Sequence, residues 1–242
     1  GAGALAHHQR HLLGAGSDGL SLSVDRKLWV ALSGAFLTLF LVVHLAGNLA
    51  LFLPPEQARP VFNAYSAWLS QLVLVRVVAI GVYASFVVHA VVSLALAWRN
   101  RRARGPVRYQ YDPAARSSPW FARRMGALGV VLLVFLVVHL RTFWATYHWG
   151  GLPLDPAGHK DLYGLTVEAF ARPGYVLFYV ASMIALAFHL LHGTVSATRT
   201  LGLYHRRVGR WAGRVGVLLS VTLGAGFAAL PVWVHLTTGG LS

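Results

Sequence analysis

Cysteine is absent from the chain. That excludes disulfides, cysteine-ligated iron–sulfur clusters and thioether-linked haem within it, so any iron–sulfur chemistry must sit on a partner. Charge is scarce as well: 12% of the 242 residues are charged, against about 25% in a soluble domain. Acids are scarcer still, seven against 21 lysines and arginines. The first 24 residues also lack the apolar run of a cleavable signal. What fills the chain instead is hydrophobic, 56% of it. Five apolar stretches, at 28–53, 72–98, 125–149, 174–198 and 212–236, each exceed the roughly 20 residues that cross a bilayer as a helix. The expected fold is an all-α membrane protein: a five-transmembrane-helix bundle over 25–242, with short connections, behind a loosely ordered N-terminal arm over 1–24. His7, His8 and His11 in that arm are a weak metal-binding signal.

A net charge of +14 raises the question of nucleic acid, and its placement answers against it. Sixteen of the 21 basic residues fall on one side of the spans: Arg10, Arg26, Lys27, then Arg99, Arg101, Arg102, Arg104, Arg108, Arg116, Arg123 and Arg124, then Arg199, Arg206, Arg207, Arg210 and Arg214. Four of the seven acids (Glu56, Asp155, Asp161 and Glu168) fall on the other. This is the positive-inside pattern, with the N-terminus cytoplasmic and the C-terminus outside. Trp29, Trp68, Trp98, Trp120, Trp144, Trp149, Trp211 and Trp233 sit near span ends as an interfacial belt.

The chain repeats itself. Phe-Leu-Val-Val-His-Leu at 40–45 recurs at 135–140, and a glycine precedes each histidine by ten positions (Gly34 and His44, Gly129 and His139). The second and fourth spans supply His89 and His189, 45 and 50 residues further on. The first four spans therefore read as two copies of one helical hairpin, related by a pseudo-twofold axis along the membrane normal; the fifth is an addition.

Ionisable residues within a span are costly and usually functional. Here each of the first four spans carries one deep in its apolar run, and each of these is a histidine. At about 1.5 Å per residue from the basic edge, His44 and His139 lie roughly 25 and 22 Å up, and His89 and His189 both roughly 15 Å up. Two levels follow, an outer pair (His44, His139) and an inner pair (His89, His189). Each pair suits one haem iron, clamped from both faces. Two histidines leave iron no open position, which favours electron transfer over oxygen chemistry. His192, one turn from His189, breaks the level match and is assigned a supporting contact. Gly47 and Gly193, near the ligands, are candidate points of close macrocycle approach or ordinary small-residue packing.

Arg76 and Arg141 near the outer ends, and Arg123 and Arg199 near the inner ones, are candidate propionate contacts or interfacial anchors. A quinone site on the outer side draws on Glu56, Tyr65 and Gln71, with Asn63 and Ser66 in the same connection; an inner site near the iron–sulfur partner draws on the second or fourth connection instead.

The segment Ser-Gly-Ala-Phe-Leu-Thr-Leu-Phe-Leu-Val-Val-His-Leu-Ala-Gly-Asn-Leu at 33–49 resembles the first helix of the single-chain di-haem cytochrome b that anchors succinate dehydrogenases (succinate:menaquinone oxidoreductases) and fumarate reductases to the membrane. Arg124 to Trp144 is similar to its third helix, and Phe-His-Leu-Leu-His-Gly-Thr-Val-Ser-Ala-Thr-Arg-Thr-Leu-Gly at 188–202 to its fourth. The resemblance spans about 28–236 and implies the same pairing, first helix with third and second with fourth, with His189 as ligand. It implies two haem b, menaquinone as the diffusible quinone, a flavoprotein subunit and an iron–sulfur subunit on the cytoplasmic face, and leaves room for a higher oligomer of the complex. Electrons then pass to quinone in succinate oxidation; a quinol-oxidising subunit of a fumarate reductase or another respiratory oxidoreductase is the alternative. Some fumarate-reducing relatives place a glutamate two residues before the fourth-helix histidine for a proton path; here Ala187 stands there. The haem subunits of nitrate-reductase-like or hydrogenase-like complexes distribute ligands differently among their helices. A colourless scaffold or transporter would have no use for two histidine levels.

Overall fold

The computed structural model describes residues 2–104, 119–203 and 206–239, with side chains over 25–103, 119–203 and 209–239. Arg108 and Arg116 lie outside the described residues, as do the side chains of His7, His8, Arg10, His11, Arg104, Arg206 and Arg207. Among the described residues the structure is helical, apart from one isolated bridge between Leu154 and Lys160. Long apolar sequence becomes helix because a backbone in lipid must satisfy its N–H and C=O groups within the segment. Five helices are long and apolar enough to cross a membrane: Asp25–Phe52, Val73–Ala103, Met125–Trp149, Pro173–Thr200 and Gly209–Thr238. Each coincides with one of the five stretches read from the sequence.

The elements in order are α1 (Ala2–Asn48) with a 3₁₀ turn at Leu49–Phe52, α2 (Pro55–Gln71), α3 (Val73–Arg104), α4 (Trp120–Arg123), α5 (Met125–His139), a π-wound segment at Leu140–Ala145, α6 (Thr146–Trp149), α7 (Leu162–Phe170), α8 (Pro173–Thr200) and α9 (Arg206–Thr238). Prolines set several starts: Pro55 and Pro173 stand at the first helical positions of α2 and α8, where a missing N–H costs nothing. Gly202, at φ +71°, ends α8. Leu203 N donates to Thr198 O (3.0 Å) and Gly202 N to Arg199 O (3.2 Å), the paired bonds that a left-handed glycine permits at a helix end.

Two expectations are corrected. The arm over 2–24, expected to be loosely ordered, is helical and continuous with the first span; no proline precedes Pro54 to stop it. The connections on the acidic side are not simply short links, since they hold α2 and α7. The end carrying Arg99, Arg101, Arg102, Arg123, Arg124, Arg199, Arg210 and Arg214 is the basic end; α2 and α7 form a cap at the other.

A buried polar cluster ties the cap together. Asn63 on α2 is fully buried. Its amide donates to Asp155 Oδ2 (3.1 Å) and Asp161 Oδ1 (2.9 Å), and its carbonyl accepts from Tyr163 N (2.9 Å). Arg59, one turn earlier on α2, makes a two-pronged contact with Asp161 (3.2 and 2.6 Å). Asp161 also caps α7, accepting from Gly164 N. Burial pushes the Asp161 carboxyl up, but the Arg59 and Asn63 hydrogen bonds, the Gly164 N–H and the Arg59 charge outweigh it and hold the group below the ordinary carboxylate range. Asp155 is also held low, chiefly by the His159 N–H, with help from Asn63 and Ala157 N–H.

Beneath the cap, Leu45, Leu51, Phe62, Tyr163, Phe170, Tyr179, Leu230 and Val234 form one apolar core. The fifth span packs along the fourth through a small-residue ladder at four-residue spacing on α9. Gly216 lies against Thr194, Ser220 is buried and turns its hydroxyl to Gly216 O (2.6 Å), and Gly224 lies against Met183 and Ala187. Small residues let membrane helices approach closely where apolar burial gives no advantage over lipid.

Candidate functional site

The four span histidines come together as two pairs. The ring centroids of His44 (α1) and His139 (α5) are 6.0 Å apart with planes at 88°. Those of His89 (α3) and His189 (α8) are 6.1 Å apart at 67°. The pairing is therefore first span with third and second with fourth. His192 is half-buried one turn toward the basic end, and its ring is not part of either pair.

The repeat acquires a structural reason. Four residues before each histidine of the cap-side pair stands a phenylalanine stacked on it: Phe40 on His44 (5.3 Å, 16°) and Phe135 on His139 (5.6 Å, 27°). The shared glycine serves the other level. A Cβ at Gly34 would stand 3.1 Å from His89 Cε1, and one at Gly129 would stand 3.9 Å from His189 Cε1. Each glycine thus lies under the histidine of the second helix in its own hairpin.

Hydrogen bonds treat the four rings unequally. Ser33 Oγ lies 3.3 Å from His89 Nδ1 and donates to Trp29 O at 2.6 Å. Tyr179 OH lies 3.0 Å from His139 Nδ1. His189 Nδ1 is buried with no hydrogen-bond partner.

The fit of these pairs to haem is testable on spacing. Two metal–nitrogen bonds of about 2.0 Å, with about 1.1 Å from each nitrogen to its ring centre, put the centroids about 6.2 Å apart across one metal. The observed 6.0 and 6.1 Å agree. Among the described residues no group of three or more His, Cys, Asp or Glu side chains converges as a metal site. Two imidazoles suffice to hold an iron where a macrocycle supplies the other donors, and the spacing of each pair fits that arrangement.

The remaining candidates divide. Arg76 and Arg199 stand near span ends, Arg123 just before the third span and Arg141 eight residues inside it, and Arg76 Nε donates to the Ser70 carbonyl (3.3 Å). Glu56 and Gln71 stand at opposite ends of α2. Fifteen residues of helix separate them by about 22 Å, so they do not line one site. Tyr65, half-buried, packs over Gly47, whose added Cβ would meet its hydroxyl at 3.1 Å. Of the three quinone candidates it is the one beside α1 a single turn beyond His44, and Gly47 serves its packing. Nothing lies within 4 Å of a Cβ at Gly193. Ala187 faces Gly224, where a Cβ would come within 2.7 Å of its own; the seam leaves no room for a longer acidic side chain there.

Sequence reading missed the Arg59–Asn63–Asp155–Asp161 cluster. The available signal was weak: Arg59 and Asn63 share a helix face at i and i+4, opposite two of the chain's few acids. No family model, curated protein or solved structure matches the chain.

Proposed function

We propose that the chain is the membrane-anchor cytochrome b subunit of a succinate dehydrogenase-type complex, carrying electrons between an iron–sulfur partner at the basic end and a quinone. The observation that supports this best is the pair of opposed histidines at each of two levels, spaced for one haem iron per level. His89 and His189 would hold the haem nearer the basic, cytoplasmic end, and His44 and His139 the one nearer the cap. Bound at such sites, haem b supplies one-electron transfer without an open coordination position. The chain's own part is positional. Its helices fix the two levels, Phe40, Phe135 and Phe143 pack the cap-side rings, and the apolar spans keep water from them. Menaquinone is the proposed diffusible partner, as the resemblance of the first, third and fourth helices implies. Ala187, closed against Gly224, favours a mechanism with no carboxylate relay at that position.

A reduced-minus-oxidised spectrum with pyridine haemochrome quantitation tests the reading. Two protohaems per chain with low-spin b-type bands are expected; a colourless, folded preparation would sink it. A finer test uses the two repeat glycines. Gly34→Ala forces His89 aside by a few tenths of an ångström and is expected to weaken the basic-end haem about tenfold, on the scale of perturbed ligand support. Gly129→Ala makes only ordinary contact and retains it. Haem per chain after purification reads both.

A further inference from the structure

The two hairpins of the repeat are alike in their histidines and unlike in what holds those histidines. Ser33, which faces His89 Nδ1, stands one residue before Gly34; the equivalent position before Gly129 is Leu128. Tyr179, which faces His139 Nδ1, stands ten residues before His189; ten residues before His89 is Ala79. Neither Leu128 nor Ala79 has a side chain that can hydrogen-bond. His189, the repeat equivalent of His89, accordingly has a buried Nδ1 with no partner. His89 is thus held by Ser33 together with the Val30 backbone, His139 by Tyr179, and His189 Nδ1 by no partner; the two side-chain anchors come from unrelated residue types in different hairpins.

The hydrogens can be counted. A serine or tyrosine hydroxyl has one hydrogen to donate and lone pairs to accept. Ser33 donates to the Trp29 carbonyl at 2.6 Å, so at 3.3 Å its oxygen is left to accept from His89 Nδ1–H. Tyr179 is buried and its hydroxyl lies 3.3 Å from that of Tyr175. Tyr175 commits its hydrogen to the closer partner, Thr142 Oγ1 at 2.8 Å. Tyr179 OH in turn meets His139 Nδ1 at 3.0 Å, where the hydroxyl oxygen can accept from an Nδ1–H. The contacts run from His139 through Tyr179 and Tyr175 to Thr142, and Thr142 belongs to the π-wound segment that follows His139. A histidine that binds a metal through Nε2 carries its hydrogen on Nδ1, and Ser33 and Tyr179 each place a hydroxyl oxygen there to accept it. The hydrogen bond made by one ring nitrogen decides what the other can bind.

Resting on the haem reading above, the geometry points to Ser33 and Tyr179 as positioning residues, each fixing the tautomer and orientation of one histidine, so that the two haems are tuned separately, one by a serine and the other by a tyrosine chain. An acceptor on the ligand's second nitrogen raises its basicity, and losing such a partner typically costs about 10–100-fold in affinity. A more basic ligand favours the oxidised metal, so each anchor lowers the midpoint potential of its own haem.

The test is a crossed redox titration of the detergent-extracted holoprotein, followed optically, with the His189→Ala variant used to assign the basic-end haem. Tyr179→Phe keeps the ring in its aromatic setting and removes only the hydroxyl. It is expected to raise the cap-side haem's potential and weaken its retention about 10–100-fold, leaving the basic-end haem unmoved. Ser33→Ala is expected to do the reverse by a smaller amount, since the Val30 backbone bond to His89 remains. Thr142→Val, at the far end of the chain, is expected to move the cap-side haem in the same direction by less. Wild-type potentials and full haem retention in both Tyr179→Phe and Ser33→Ala would overturn the assignment while leaving the haem reading intact. Equal movement of both haems in either variant would also overturn it, as a general packing effect. A wild-type protein without b-type bands would overturn the haem reading, and this one with it.

Discussion

His189→Ala is expected to remove one haem of two, and His192→Ala to leave both. The two residues share a helix face one turn apart, and either could serve a haem if only sequence spacing were weighed. Their surroundings separate them. His189 stands opposite His89 at 6.1 Å between ring centres, a span that one metal atom bridges, while His192 lies about 4.5 Å nearer the basic end. Truncating one of the two imidazoles that would hold the haem leaves a single donor and opens a buried space in the bundle, so the loss should be near complete. His89→Ala is expected to give the same one-haem product, and His44→Ala and His139→Ala the complementary one. Haemochrome quantitation per chain measures all five variants. Loss of a haem in His192→Ala with retention in His189→Ala would mean that the fourth helix is turned by about one turn from the pairing described.

Much of this site could be read without coordinates because its determinants are local. A span announces itself by length and apolarity, and a buried histidine by its cost in such a span. Depth along a helix is linear in residue number, so the pairing of His44 with His139 and of His89 with His189 followed from counting from the basic edge. Other features depend on what the chain meets in space. Asn63 is one polar residue among several in its connection, and its burial depends on Asp155 and Asp161, roughly a hundred residues away. The connection itself was read as a link, yet α2 is a helix lying under a second short helix, because Phe62 and Ala58 have a core to enter. The π winding after His139 adds one residue to a turn, which no apolar pattern reveals; Thr146 Oγ1 reaching the Arg141 carbonyl five residues back is its local trace. The quinone candidates are spread apart for a related reason. Glu56, Tyr65 and Gln71 share a connection in sequence, but a helix spreads them over its whole length.

The cap should be the most fragile part of the fold to a single substitution, and Asn63→Leu is the substitution that exposes this. Leucine is close to asparagine in size, so the change is chiefly chemical. Three hydrogen bonds disappear at once, two that supply donors to Asp155 and Asp161 and one that accepts from Tyr163 N. Both carboxylates and the asparagine are buried, so water cannot replace the lost partners without opening the cap. An unsatisfied buried group costs about 1–3 kcal/mol; Asp161 keeps Arg59 and Gly164 N, so Asp155 Oδ2 and Tyr163 N are the groups left without a hydrogen-bond partner, and the loss is about 2 kcal/mol or more. For a chain of this length that corresponds to a fall of about 4–8 °C in melting temperature. Arg59 offsets little of it, since its side chain is 47% exposed and solvent screens an exposed ion pair. Acid should act on the same cluster. Asp155 and Asp161 are held below the ordinary carboxylate range in the folded protein. Their contribution is therefore complete above the unfolded value of about 3.9 and is lost as pH falls through the lower folded values. In Asn63→Leu both carboxyls lose a donor and their folded values rise, so the acid limb of stability should move toward neutral pH. Melting temperatures across an acid series, with haem content monitored in parallel, would show the effect. The bis-histidine pairs lie on the spans rather than in the cap, so haem should persist at neutral pH while the cap loosens. A melting temperature within about one degree of wild type, with an unmoved acid limb, would mean that α2 is held by Ala58 and Phe62 packing and that the buried polar cluster carries little of the fold.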